Sequence, residues 1–120
     1  MEHDDVKPTV WLGDSRKQVQ SFPRGVRQDI GAALYDVQKG TTPPQAKPLK
    51  GVGSGVFEII TGFATNTYRT VYAVQIGKRV YILHAFQKKS HKGRTTAKRD
   101  IEMISRRFKE ALQVEKEYSS

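Results

Sequence analysis

The 120-residue chain contains no cysteine, which excludes a disulfide scaffold, thiolate catalysis and any zinc site built on sulfur. It also has no apolar run near the ~18–20 residues that a membrane span needs, and its start, MEHDD, is acidic where a secretory signal would be basic. We therefore expect a soluble, cytoplasmic protein with no membrane partner. The length predicts a single domain, since domains cluster near ~100–150 residues.

The sequence patterns typical of metal and nucleotide sites are lacking as well. The three histidines are scattered without metal-ligand spacing, and the acidic residues form no group that would hold magnesium. The glycine-rich stretch 51–55 is not followed by the Lys-Ser/Thr of a phosphate-binding P-loop. We therefore predict no metal and no cofactor. Metal-free cleavage is possible for RNA, because its own 2′-hydroxyl can attack the neighbouring phosphate.

Positive charge, by contrast, is plentiful and unevenly distributed. Lysine and arginine number 21 against 12 acidic residues, a net charge of +9, and residues 61–120 carry +8 of it. Eleven basic residues fall between Lys78 and Lys109, with only two acidic ones among them. A localised positive field attracts polyanions, of which nucleic acid is the usual one. The alternatives are a solvated cationic surface and a patch that fits an acidic protein partner.

The first third of the chain predicts one short strand and two helices. The apolar run 9–12 ends at Gly13 and predicts the strand, after which Asp14 or Ser15 caps a short helix through about residue 21. Pro23 suits the first turn of the second helix, and Gly40 ends it. That helix is indicated by an apolar stripe at helical spacing, formed by Val26, Ile30, Ala33, Leu34 and Val37.

The remainder of the chain predicts an antiparallel meander followed by a last helix. Segments 56–61, 68–76 and 80–86 are rich in β-branched and aromatic residues, and glycines stand in the connections between them. The last helix is expected to start near Thr96, with an apolar stripe of Ile101, Ile104, Phe108 and Leu112.

Together these elements predict an α+β fold with a small, mostly antiparallel sheet of about four strands. Two helices precede the meander and one follows it, and we expect all of them on one face of the sheet. The expected organisation is a disordered arm at 1–8, a single domain at 9–113 and a C-terminal tail at 114–120.

The segment that follows the last predicted strand has the densest set of functional groups. Residues 86–94, FQKKSHKGR, hold one histidine and four basic residues, Lys88, Lys89, Lys92 and Arg94. Such a segment can neutralise several phosphates, and a cation can stabilise the charge that builds up on a phosphate during cleavage. Neighbouring cations disfavour one another's protonated form, so one lysine could carry protons, and His91 suits the same role. A charge run that only holds phosphate is the alternative.

Two further groups of residues lie within the predicted strands. Glu58 and Arg69 stand on adjacent strands and could pair across them, either as a structural ion pair or with Arg69 binding a phosphate. Tyr68 and Tyr72 share a face by the period-two rule, so either can belong to the core. His84 lies in an apolar strand, which favours a buried histidine with satisfied ring nitrogens.

Six motifs follow one another along the chain: VWLGDS at 10–15, the stretch from Phe22-Pro23 to Gly40, KPLKG at 47–51, VFE at 56–58, YRTVY at 68–72 and LHAFQKKS at 83–90. In this order and spacing, over about residues 9–113, they resemble the HigB-type, phage-derived branch of the RelE/ParE toxin superfamily. The combination is more specific than any one motif.

The resemblance implies a RelE-like fold and the toxin component of a type II toxin–antitoxin system. Toxins of this kind cleave mRNA during translation and are inactivated by a helix-turn-helix antitoxin of the HigA type, so the implied partners are this antitoxin, the ribosome and mRNA. The implied catalytic residues are Arg69, Tyr72, Lys88 and Lys89, to which we add His91 as a proton carrier, with Glu58 in support. The expected RNA contacts are Phe86, Lys92, Arg94, Lys98 and Arg99.

Two classes of activity remain open at this point. The first is a metal-independent, ribosome-dependent endoribonuclease. The second is a non-enzymatic relative, either a ParE-like topoisomerase poison or a phage-derived nucleic-acid-binding module. The cation density after the last strand favours RNA chemistry, because a poison that acts by protein contact does not need it.

Overall fold

The computed structural model describes residues 6–88 and 96–119. Eight elements follow one another in this part of the chain: β1 (Thr9–Trp11), α1 (Ser15–Gln20), α2 (Arg24–Gln38), β2 (Ala46–Pro48), β3 (Val56–Phe63), β4 (Asn66–Ala73), β5 (Val80–Lys88) and α3 (Lys98–Ser119). No helix among the described residues is both long enough and apolar enough to cross a membrane.

The strands form one five-stranded sheet in the order β1-β5-β4-β3-β2. The pairings β2–β3, β3–β4 and β4–β5 are antiparallel, whereas β1 runs parallel to β5. The predicted α+β class and the antiparallel meander are therefore confirmed. The fifth strand, β2, was not predicted, because it has only three residues and ends in Pro48, which cannot donate to a strand ladder.

Helix α2 packs on one face of the sheet, the α2 face. The predicted apolar stripe is confirmed, since all five of its residues are buried. They meet side chains of the central strands, among them Tyr68, Tyr72 and Ile82. Gly40 follows the helix with a φ of 95°, a left-handed conformation that glycine adopts without strain.

Helix α3 packs on the opposite face, the α3 face, so the expectation that all helices share one face was wrong. Strands β4 and β5 are buried along nearly their whole length, and sheets with two buried faces need a helix on each. A second core lies there, with Val71, Tyr81, Leu83 and Ile104.

Helix α3 differs from its prediction in its limits and in one core position. It begins at Lys98 and continues to Ser119, through much of the segment expected to be a tail. Leu112 is 42% exposed, although the apolar stripe predicted it to be buried, and Ala111 is buried instead. The buried side of the helix runs through Ile104 and Ala111, at i and i+7, which leaves Leu112 one residue off that side.

Candidate active site

The register of the central strands brings several of the predicted site residues to the α3 face. Glu58 of β3 lies opposite Val71 of β4, and Arg69 lies opposite both Ile60 of β3 and Phe86 of β5. Because directly opposed residues share a face, Glu58, Arg69 and Phe86 all stand on the side where Val71 packs toward α3.

Glu58 and Arg69 form the predicted cross-strand ion pair. Arg69 Nη1 lies 3.1 Å from Glu58 Oε1, and the two side chains are only 7% and 1% exposed. The other carboxylate oxygen, Oε2, accepts a hydrogen bond of 3.0 Å from Thr96 Oγ1. Both oxygens of this buried anion are therefore engaged, as a buried charge requires, and the chain just before α3 is attached to β3.

A cavity of about 380 Å³ opens beside this pair. Its polar lining includes Glu58 and Thr96, its apolar walls are formed by Pro48, Leu49 and Ile101, and two lysines complete the lining, Lys47 and Lys50. The backbone of Lys47 is paired with that of Glu58 across β2 and β3.

Sequence reasoning missed these two lysines as site residues. They belong to the KPLKG motif, but the strand that directs Lys47 toward Glu58 was not predicted. The spacing of two lysines around an apolar Pro48-Leu49 was the only signal in the sequence.

His84 occupies a β-bulge next to the ion pair. Val71 pairs with His84 while Tyr72 pairs with Ile82, so Leu83 is the extra residue on β5. His84 Nε2 lies 2.9 Å from Asp100 Oδ1, and the other ring nitrogen lies 3.4 Å from an Arg107 nitrogen.

The imidazole also stacks on the ring of Phe86, with 5.1 Å between the ring centroids. The expectation of a buried histidine with satisfied ring nitrogens is confirmed, since only 9% of His84 is exposed. Its contacts connect β5 to the first and third turns of α3, and they hold Phe86 beside the site.

Tyr72 is not brought together with Arg69 and Lys88, the other predicted catalytic residues that the structure describes. It lies in the core on the α2 face, where it is 1% exposed and stacks on Phe57 with 5.5 Å between ring centroids. Burial raises the pKa of its phenol to about 12, which is unsuited to proton transfer near neutrality. Tyr68 is buried on the same face.

The predicted cations fall into two groups. Lys88 ends β5 on the α3 face, two residues beyond Phe86, and Lys98 and Arg99 are exposed in the first turn of α3. Lys89, His91, Lys92 and Arg94 lie outside the described residues. In the sequence they fall between Lys88 and Thr96, two residues that both belong to the α3 side of the sheet.

A comparison with protein families matches residues 17–109 to the family described as phage-derived protein Gp49-like (DUF891). The chain belongs to this family. Gp49-like proteins are associated with toxins of toxin–antitoxin systems of the RelE/HigB kind. The matched range contains the ion pair, the cavity and all of the predicted site residues. The searches of curated proteins and of solved structures found no match.

Proposed function

We propose that this Gp49-like protein is the toxin of a type II toxin–antitoxin pair, and that it is a metal-independent endoribonuclease of HigB type that cleaves mRNA on the ribosome. Its partners in this proposal are the ribosome with its mRNA and an inactivating HigA-type antitoxin. The observation that carries the proposal is the buried Arg69–Glu58 pair, which stands beside a lysine-lined cavity and in which Arg69 lies opposite Phe86 of β5.

The position of Arg69 supports a role in charge stabilisation. Glu58 holds the guanidinium in one orientation, and only 7% of the Arg69 side chain is exposed. A fixed positive charge in a water-poor environment acts more strongly on a nearby phosphate than a mobile surface charge does. Glu58 is thus a positioning residue in the proposal, acting through Arg69.

The proposed reaction uses the nucleophile that RNA itself contains. The 2′-oxygen attacks the adjacent phosphorus as it loses its proton to a base, and the bond to the 5′-oxygen breaks as that oxygen gains a proton. The products are a 2′,3′-cyclic phosphate and a free 5′-hydroxyl. We assign stabilisation of the extra negative charge to Arg69 with Lys88 or Lys89, and proton transfer to one of the lysines or His91.

The test is primer extension on a translated message after brief induction of the protein. We expect new 5′ ends inside the reading frame, absent when translation is blocked and absent for the Lys88→Ala/Lys89→Ala variant. The matched control is Arg16→Ala/Lys17→Ala, which also removes two adjacent cations but from the exposed side of α1. It should cleave like the unmodified protein.

Two other results would contradict the proposal. Growth arrest with an intact message would exclude the endonuclease and make inhibition of a topoisomerase the next test. Unchanged growth with an intact message, for a protein that is folded by circular dichroism, would show that this chain is not an active toxin.

A further inference from the structure

The cavity beside the ion pair has the composition of a subsite for one nucleotide. We propose that it binds a nucleotide of the RNA strand, with Lys47 and Lys50 holding phosphate and the Glu58–Thr96 floor facing the edge of the base. This inference rests on the proposed function, because it names how the substrate of that same site is held.

The charges of Lys47 and Lys50 are not neutralised by any acidic side chain among the described residues. Lys47 stands opposite Glu58 in the strand register, yet Glu58 pairs with Arg69 and Thr96 instead, and neither Lys47 nor Lys50 forms an ion pair within the part of the chain that the structure describes. Both residues are exposed and both line the cavity. Unpaired ammonium groups at the edge of a cavity are suited to phosphate, whose counterions they displace.

The walls and the volume suit the base. Ligand pockets of proteins measure roughly 300–1,000 Å³ and combine apolar walls with a few convergent polar groups. The 380 Å³ cavity has this composition, with Leu49 and Ile101 as apolar walls and Glu58 and Thr96 as the polar groups. A flat, apolar base face with a polar edge matches that distribution.

The Glu58 carboxylate at the base of the cavity also predicts which nucleotide bases bind there most tightly. A carboxylate only accepts hydrogen bonds, and each of its oxygens has a second lone pair beyond the one that Arg69 or Thr96 uses. Guanine offers two neighbouring N–H donors, whereas uracil has one N–H between two carbonyl oxygens that a carboxylate repels. We therefore expect guanine to bind more tightly than uracil.

The first experiment is an NMR titration of the full chain with GMP, UMP and inorganic phosphate. We expect saturable shifts of the Leu49 and Ile101 amides with GMP, and binding of UMP weaker by about fivefold, the effect of one hydrogen bond. Lys47→Ala/Lys50→Ala should weaken the binding of GMP by about tenfold, since two phosphate contacts are lost. Arg16→Ala/Lys17→Ala, which changes the net charge equally, should bind GMP as the unmodified chain does.

Three results would overturn the inference: phosphate that binds as tightly as GMP, UMP that binds as tightly as GMP, or a GMP affinity that the Lys47/Lys50 variant leaves unchanged while its amide spectrum stays folded. Failure here is separable from failure of the proposed function. Cleavage in the primer-extension assay without GMP binding removes only the subsite, whereas GMP binding without cleavage keeps the subsite and removes the nuclease.

Discussion

At the scale of single residues, the ion pair in the α3 core shows what the sequence can and cannot predict. The pairing of Glu58 with Arg69 followed from their places on adjacent strands, because such residues meet across a sheet. The hydrogen bond from Thr96 to Glu58 could not be predicted from the sequence, since it depends on how the chain returns to the sheet before α3. Strand periodicity likewise shows that Tyr68 and Tyr72 share a face, but not which helix covers it.

The buried pair makes a first prediction about stability. Arg69→Ala leaves the Glu58 carboxylate buried without its cation, and we expect the free energy of unfolding to fall by about 3–5 kcal/mol. Glu58→Leu/Arg69→Met removes both charges and should lower the free energy of unfolding much less. Urea denaturation measures both, with Lys98→Ala as a surface control. A loss below about 1 kcal/mol for Arg69→Ala would mean that the pair is not desolvated.

Tyr72 gives a second prediction, one that separates a core role from a catalytic one. Tyr72→Phe keeps the ring that stacks on Phe57, so cleavage of mRNA should persist. Loss of cleavage in this variant would indicate that the Tyr72 hydroxyl is catalytic. The pKa of the phenol is raised to about 12 in the folded protein, so the unfolded chain loses this proton first. Stability should therefore fall as pH rises from 10 to 12, and by less in Tyr72→Phe, which denaturation midpoints across this range would measure.

At the scale of elements, helix α3 shows the limit of counting apolar residues. The stripe predicted Leu112 to be buried, but Ala111 occupies the buried position, and the next turn is held by polar contacts in addition to Val114, which packs against the core. Tyr81 donates a 2.6 Å hydrogen bond to Glu115 Oε1, Arg79 lies 3.0 Å from Oε2, and the Arg79 guanidinium stacks on the ring of Tyr118. Contacts of this kind join residues far apart in the chain and leave no periodic signal.

Glu115 therefore makes a prediction about the end of this helix. Its hydrogen bond from Tyr81, together with the Arg79 cation, holds the pKa of the Glu115 carboxyl below its ordinary value near 4.5. The stabilisation is present above that value and is lost as pH falls through the lower, folded-state pKa. Amide exchange at residues 113–118 should become faster relative to α2 as pH is lowered through this range, once intrinsic rates are corrected for.

The control for that experiment is Glu115→Gln, in which the position no longer titrates. Its helix end should already exchange faster at neutral pH, and it should show no further change on acidification. Equal protection of residues 113–118 in both proteins at pH 7 would contradict the assignment.

At the scale of the whole molecule, the two faces of the sheet differ in what they contain. The α2 face is an apolar core around Tyr68 and Tyr72, while the α3 face combines a core with the ion pair and the lysine-lined cavity. The sequence predicted both helical stripes but assigned them to one face, because the central strands are apolar on both sides and their pattern does not show which side is covered by which helix.

The parallel pairing of β1 with β5 has a consequence for how this protein is made. Thr9 is synthesised well before Val80, its partner in β5, and α3 is synthesised later still. Pairings between distant parts of a chain form late, since the intervening loop must close first. A nascent chain therefore lacks the edge strand, the Thr96 contact and the helix that completes the α3 face. In the proposed function, the chain becomes active only after α3 has been synthesised and has packed on the sheet. Synthesis of the chain and its activity are therefore separated in time.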